Sequence, residues 1–169
     1  EGLFKQTADT YRRIRNTFRI LLGNLNDFDP NSDTVENNNL SFIDKWILER
    51  LHKTTCECLD GYKNYQFRKV FNSINNFCTN DLSSIYIDIT KDRMYCDLPN
   101  SLKRRSTQSC MHKVFNDLCK LLAPILSFTA DEAWEHAGNH PGDIHCETFP
   151  EPDPSFKPGN VSEHMEILL

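Results

Sequence analysis

The sequence predicts an all-α protein, an antiparallel helical bundle with a short irregular extension that contains a strand near the C-terminal end. Apolar residues recur at steps of three and four over long stretches, which is the spacing of a helix that faces a core. Capping residues stand where several of these stretches begin or end. Six of the eight prolines follow residue 120, so we expect helices first and irregular structure last. We place the helical domain at residues 1–149, and a Pro-rich linker with the start of a C-terminal segment at residues 150–169.

The first helix is expected from about Leu3 to Leu25. Its apolar seam consists of Tyr11, Ile14, Phe18, Leu21 and Leu25. At about 100° per residue, a stripe of cations falls almost opposite the seam: Lys5, Arg12 and Arg19, flanked by Arg13 and Arg15. Because guanidinium groups bind phosphate oxygens in pairs, the stripe suits a polyanion. The alternative is an ordinary solvated helix face with scattered ion pairs.

The next helices are marked by capping patterns. A capping box at Ser41–Asp44 opens the second helix, which ends near Gly61. A fourth helix is expected from about Ser101 to Ala123, and Pro124 bends or ends it. Another capping box, Thr129–Glu132, opens a short helix that reaches about Ala137.

The third helix begins near Tyr65, and the stretch Leu82–Asp92 that follows it is ambiguous. Alternate isoleucines at positions 85, 87 and 89 suit a strand, whereas a seam through residues 78, 82, 85 and 89 suits a helix. We favour a second helical segment after a break near Asn80. Beyond residue 138 we expect one short strand at Ile144–Phe149 and a final helix at Val161–Leu169.

The net charge of −5 conceals an asymmetry along the chain. Residues 1–130 contain 18 Lys and Arg against 15 Asp and Glu, whereas residues 131–169 contain one Lys against nine Asp and Glu. This pattern indicates a basic working face and an acidic tail. The first cluster of candidate polyanion-binding residues is Arg12, Arg13, Arg15 and Arg19. A basic connector over residues 91–106 supplies Lys91, Arg93, Lys103, Arg104 and Arg105. A third cluster is Arg68 and Lys69.

No catalytic or metal-binding constellation stands out. The six glycines are isolated, which excludes a Gly-rich phosphate loop, and no nucleophile elbow occurs. The nearest set of metal ligands is His136, His140, His145 and Cys146. Gly138 and Pro141 interrupt any helix between the first two, so we expect surface histidines and no metal. The seven cysteines include no CxxC spacing and predict reduced, buried thiols in a cytoplasmic protein. Apolar runs of about six residues are far shorter than a membrane span.

Five segments of the chain form a recognisable series: Tyr11–Pro30, Asp44–Leu51, Leu82–Asp97, Arg104–Gln108 and Leu121–Trp134. In this order they resemble the anticodon-binding domain of isoleucyl-tRNA synthetases of the bacterial or organellar type. The resemblance spans about residues 3–150. The last segment is also similar to valyl and leucyl synthetases, so the first and third segments are the ones that point to the isoleucine enzymes.

The resemblance implies a helical bundle that follows a Rossmann catalytic domain and binds the anticodon stem-loop of isoleucine tRNA. It implies that the whole enzyme attaches isoleucine to this tRNA with ATP and magnesium. The nucleotide-binding motifs, the editing insertion and the zinc element of the family are absent, so we expect a fragment without a cofactor or catalytic centre of its own. We expect it to act as a monomer beside the catalytic domain of the same polypeptide, with the three cationic clusters on the tRNA.

Two alternatives stay open. The chain could be the same domain of a valyl-type class I synthetase, or a helical interaction module whose basic face binds an acidic protein. The cations of the first helix could also pair with acidic residues of a catalytic domain instead of phosphates.

Overall fold

The computed structural model describes residues 2–138, 142–157, 159, 161 and 165. Its α-helices are α1 (Gly2–Asn24), α2 (Phe42–Lys63), α3 (Phe67–Asn76), α4 (Asp88–Tyr95), α5 (Leu102–Leu122) and α6 (Ser127–Ala137). A π-helical stretch, Phe77–Ile87, joins α3 to α4. Short 3₁₀ turns lie at Asn37–Asn39, Ile144–Cys146 and Pro154–Phe156. The predicted all-α bundle is confirmed.

The core forms around α5, which packs against α1, α2, α4 and α6. Its buried apolar residues are Cys110, Met111, Val114, Phe115, Leu118, Cys119, Leu121 and Leu122. Phe18 of α1 meets Phe115 edge to face, with ring centroids 5.8 Å apart. Because burying one large apolar side chain contributes about 1.5–3 kcal/mol, the summed contacts of α5 hold the other helices in place.

The predicted seam of α1 is confirmed. Ile14, Phe18 and Leu21 are almost fully buried, while Tyr11 and Leu25 are half-buried at the two ends. This seam faces α5, α6 and the π-helical stretch. The cationic stripe is thereby turned away from the core.

Two predicted helix starts are confirmed and one is wrong. The Ser41–Asp44 capping box is present, and the Ser101 hydroxyl accepts the backbone N–H of Arg104 at 3.2 Å to cap α5. The Thr129–Glu132 box is absent, because α6 begins two residues before Thr129. The side chains of Thr129 and Glu132 contact α1 instead.

No break occurs near Asn80, where one was predicted. The chain stays helical from Phe67 to Tyr95, and the wider π turns shift which residues face the core. Leu82, Tyr86 and Met94 are buried at multiples of four residues, whereas Ile89 is half exposed. The alternating isoleucines therefore belong to a helix.

The predicted strand at Ile144–Phe149 is also wrong. The Asp143 side chain accepts the backbone N–H of His145 and starts a 3₁₀ turn, and the residues after it are irregular. Phe149 stacks on Tyr62 at 4.9 Å, which ties this segment to α2. The predicted helix at 161–169 lies almost wholly outside the described residues, and the division of the chain at residue 149 stays a prediction.

All seven cysteines are free thiols, but the predicted burial is confirmed for only four of them. Cys58, Cys78, Cys110 and Cys119 are buried, whereas Cys56, Cys96 and Cys146 are exposed. Burial raises the pKa of Cys58 and of Cys78 to about 12. These two thiols therefore pack as small apolar groups.

Helix α2 ends in a left-handed turn at an unusual residue. The backbone N–H of Gln66 bonds the Gly61 carbonyl at 2.8 Å, and that of Tyr65 bonds the Tyr62 carbonyl at 3.1 Å. This pattern places Tyr65 at the position that glycine usually occupies, with φ at 56°. Its side chain is exposed.

We expect Tyr65→Gly to raise the free energy of unfolding by about 0.5–1 kcal/mol, because a left-handed conformation costs a non-glycine residue about 1–2 kcal/mol. Urea unfolding measures the change. The neighbouring variant Asn64→Gly, at φ −100°, should lower stability. A loss in Tyr65→Gly would mean that the tyrosine ring stabilises the turn more than its backbone strains it.

Candidate nucleic-acid interface

The predicted basic connector over residues 91–106 is wrong as a structural element. Its first part belongs to α4 and its last part to α5, so only the short turn between Tyr95 and Leu102 connects them. The helices turn three of its five cations toward other parts of the bundle, as the following contacts show.

Arg93 lies beside a fully buried carboxylate, Asp44 of α2. Oδ1 of Asp44 accepts the Tyr86 hydroxyl at 2.7 Å, and Oδ2 accepts the Ser41 and Ser106 hydroxyls, each at 2.6 Å. Arg93 of α4 comes within 3.4 Å of Oδ2 and donates to the Ser41 hydroxyl at 3.0 Å. This Asp44 network joins α2, the π-helical stretch, α4 and α5, with Arg93 as its counter-charge.

Arg104 and Arg105 hold the loop that follows α1. Arg104 forms two hydrogen bonds to the Asp27 carboxylate, at 2.6 and 2.9 Å. Arg105 donates to the main-chain oxygen of Asp27 at 2.8 Å and lies 3.3 Å from Asp33. Both arginine side chains are nearly nine-tenths buried. The hydrogen bonds from Arg104 lower the pKa of Asp27 to about 2.

Arg15 connects α1 to α6. Its guanidinium forms two hydrogen bonds to Glu132, at 2.6 and 2.7 Å, and the Tyr11 and Thr129 hydroxyls lie 3.2 Å apart one turn away. Helix α6 therefore runs beside α1 in the same direction. The hydrogen-bonded ion pair raises the pKa of Arg15 and lowers the pKa of Glu132.

Three other candidate cations have weak partners on the surface. Arg12 pairs with Asp9 at 3.1 Å and Lys91 with Asp88 at 2.8 Å, each within one helix. Lys69 pairs with Asp60 at 2.7 Å. Because exposed pairs contribute only about 0–1 kcal/mol, a phosphate can replace these carboxylates at little cost.

The remaining candidates are unpaired cations. Arg13, Arg19, Arg68 and Lys103 are exposed, and no described carboxylate lies within ion-pairing distance of any of them. Two of the four, Arg13 and Arg19, stand on α1. Helix α1 thus offers unpaired guanidinium groups on a surface that the Arg15–Glu132 bonds hold in place.

A groove of about 570 Å³ opens beside Arg19. It runs between α1, the loop after α1, α5 and α6, and its walls include Gly23, Asn26, Phe28, His112 and His136. The Phe28 and His112 rings are in contact, with centroids 5.5 Å apart. The α1–α6 groove therefore combines a cation with aromatic and amide groups.

Comparison with known proteins shows the family of the chain. Residues 44–169 match the family model described as the anticodon-binding domain of tRNA ligase. The chain belongs to this family.

Curated relatives of this anticodon-binding domain are isoleucine–tRNA ligases. The chain is 40% identical to the isoleucine–tRNA ligase from Desulforudis audaxviator and 41% identical to that from Thermotoga maritima. In each case the match covers 99% of the chain and 18% of the relative. Identity to the Carboxydothermus hydrogenoformans enzyme is 48% over 80% of the chain and 15% of the relative. The resemblance predicted from the sequence motifs is confirmed. The chain spans less than a fifth of the length of these relatives.

The sequence predicted candidate cations for this anticodon-binding domain but did not predict the groove beside them. Asn26, Phe28 and His112 were not predicted as site residues, and Asp44 was predicted only as a helix cap. Phe28 gave a usable signal, because a large apolar residue within the polar loop 26–40 is expected to pack against a helix. Ser106 of α5, which bonds Asp44, is 62 residues away in the chain, so no local sequence pattern indicates the contact.

One group of potential metal ligands lies within the described part of the domain. Ligand atoms of Asp131, Asp143 and His145 are within 4.8 Å of one another. Asp143 already accepts the backbone N–H of His145 at 2.8 Å, which gives it a structural role. His140, which belonged to the predicted histidine set, lies outside the described residues. No helix in the described ranges is long and apolar enough to cross a membrane.

We expect Asp44→Asn to lower the free energy of unfolding by about 3–5 kcal/mol, because it leaves Arg93 without its buried counter-charge. The matched control is Asp88→Asn, which removes an exposed carboxylate paired with Lys91 and should cost less than about 1 kcal/mol. Chemical denaturation of both variants measures the difference. Equal losses would show that the Asp44 network is no stronger than a surface pair.

The Asp27 ion pair predicts a dependence of stability on pH. The pKa of Asp27 is 3.8 in its ordinary state and about 2 in the fold, so its stabilising effect is complete above about pH 4 and is lost as the pH falls toward 2. The difference in unfolding free energy between the parent chain and Asp27→Asn should shrink over this range. Arg104→Ala should remove most of the same pH dependence. A difference that stays constant from pH 7 to pH 2 would contradict the assignment.

Proposed function

We propose that the chain binds the anticodon stem-loop of isoleucine tRNA as part of an isoleucine–tRNA ligase. The observation that carries the proposal is the exposed face of α1, where Arg13 and Arg19 have no carboxylate partner within the described residues. The 40% identity to an isoleucine–tRNA ligase over 99% of the chain supports the choice of tRNA. Attachment of isoleucine, with ATP and magnesium, takes place elsewhere in such an enzyme.

Seven of the eleven candidate cations divide into two groups by their contacts. Arg13 and Arg19 bind phosphates of the stem-loop directly, and Arg12 joins them by exchanging Asp9 for a phosphate. Such contacts fix the register of the RNA and make its affinity depend on salt.

A second group positions the interface without touching the RNA. Arg15 aligns α6 with α1, while Arg104 and Arg105 fix the loop at the end of α1. Arg93 neutralises the Asp44 carboxylate. The domain acts as a monomer in the cytoplasm, next to the catalytic domain of its enzyme.

Binding of a fluorescently labelled isoleucine anticodon stem-loop, followed by anisotropy at several salt concentrations, tests the proposal. Arg13→Ala and Arg19→Ala should each weaken binding and reduce the slope of log K against log salt by about 0.7–0.9, the change expected for one lost phosphate contact. The control Lys113→Ala removes a cation on α5 that pairs with Asp117 and lies outside the three cationic clusters, and should leave the slope unchanged.

Competition between whole tRNAs tests the specificity. Isoleucine tRNA should compete with the labelled stem-loop better than valine tRNA or an isoleucine tRNA with an altered anticodon. Equal and weak competition by all three, abolished by salt, would leave only a general cationic surface, and would favour a protein partner for the α1 face.

A further inference from the structure

We infer that His52 and Cys56 of α2 form a binding site for zinc or a similar thiol-binding metal ion. The inference does not depend on RNA binding and adds a second kind of ligand to the chain. Nε2 of His52 and the Cys56 sulfur lie 3.7 Å apart, on residues that are four positions apart in the helix. Side chains with this spacing project from the same helix face, so the helix itself brings the two donor atoms together.

The separation of the two donor atoms suits a tetrahedral metal site. Zinc binds cysteine sulfur at about 2.3 Å and histidine nitrogen at about 2.0–2.1 Å, so at a tetrahedral angle the two atoms stand about 3.5–3.6 Å apart. The observed 3.7 Å between Sγ of Cys56 and Nε2 of His52 is close to this value. A zinc ion can therefore bind both atoms with little movement of either side chain.

The pair is accessible and stands on a rigid support. Cys56 is exposed and His52 is half-buried. Both residues lie in the interior of α2, which runs from Phe42 to Lys63. Because the helix already fixes the backbone, little conformational entropy is lost when an ion binds.

The other ring nitrogen of His52 has a suitable place for its proton. Nδ1 of His52 and the Thr55 hydroxyl are both buried without a hydrogen-bond partner among the described residues. The two residues line a cavity of about 10 Å³ that also borders Asp153. A cavity of this size holds one water molecule where several polar groups surround it. Such a water accepts the N–H of Nδ1 and leaves the Nε2 lone pair for the metal, as is usual for histidine ligands.

The donor atoms select the kind of ion. Thiolate sulfur and imidazole nitrogen suit zinc, whereas Mg²⁺ and Ca²⁺ prefer oxygen ligands. On binding, the thiol proton of Cys56 passes to the solvent and His52 coordinates as the neutral imidazole. Water completes the tetrahedron, so the ion is held less tightly than in a structural site with four protein ligands.

The test measures whether zinc protects Cys56 from alkylation. Iodoacetamide labels free thiols, and peptide mass spectrometry follows each cysteine across a zinc titration. Because only the metal-free thiol reacts, zinc at about ten times its dissociation constant should slow the alkylation of Cys56 about elevenfold. Cys96 is exposed but has no imidazole contact in the described part of the chain, so its rate should not change. Mg²⁺ should have no effect, and a chelator should restore the rate at Cys56.

Two variants assign the protection to the pair. His52→Asn should abolish it, whereas the matched control His136→Asn, at an exposed histidine on α6, should keep it. Cys58, buried on the same helix as the pair, should stay unlabelled in every sample, and labelling there would reveal unfolding. Equal slowing of Cys56 and Cys96, no slowing of Cys56, or full protection in a folded His52→Asn would each overturn the site.

Calorimetric titration gives a second measurement that does not depend on the His52 variant. The parent chain should bind one zinc ion more than Cys56→Ser, because the serine hydroxyl is not among the usual zinc ligands. The same number of bound ions in both chains would contradict the assignment. RNA binding is measured separately, so failure of the zinc site leaves the proposed function standing.

Discussion

The buried carboxylate of Asp44 determines how four helical segments meet. An unpaired charge in the interior costs several kcal/mol, so Asp44 is tolerated only where its oxygens are satisfied. Tyr86, Ser41, Ser106 and Arg93 satisfy them from three directions. Apolar packing is non-directional and permits neighbouring helices to slide, whereas these hydrogen bonds fix α5 at one register against α2. Because Arg104, Arg105 and Gln108 lie within one turn of Ser106 on α5, the same register also places the loop after α1.

Arginines that look alike in the sequence make different contacts in the fold. Arg15 and Arg19 are one helical turn apart on α1, yet Arg15 forms two bonds to Glu132 while Arg19 has no carboxylate beside it among the described residues. The distinction arises from α6, which places a carboxylate opposite one residue only. Helix α6 thus divides the basic stripe into residues that pair with the neighbouring helix and residues that stay available to a ligand.

Local patterns predicted most of the fold. The seam of α1, the Ser41 capping box and the start of α5 near Ser101 depend on residues close together in the chain, and their predictions are confirmed. The π-helical stretch was missed because its wider turns change the spacing of buried residues, and the Thr129 box was misread because its side chains bond α1 instead of their own backbone. For the candidate site, the sequence predicted cations but not the residues with which they pair. Arg15 and Glu132 are 117 residues apart, and Arg104 and Asp27 are 77 apart, distances at which only the folded chain shows the contact.

The bond between Arg15 and Glu132 has a consequence for how such domains diverge over time. Neither residue reaches the core, so each could drift freely if it stood alone. Together they set the spacing between the parallel helices α1 and α6. If one charge is lost, the other residue no longer has its ion-pair partner. Substitutions at positions 15 and 132 should therefore occur as a pair across descendants of this domain, whereas Arg13 and Arg19, which form no ion pair with a described residue, are under no such pairwise constraint.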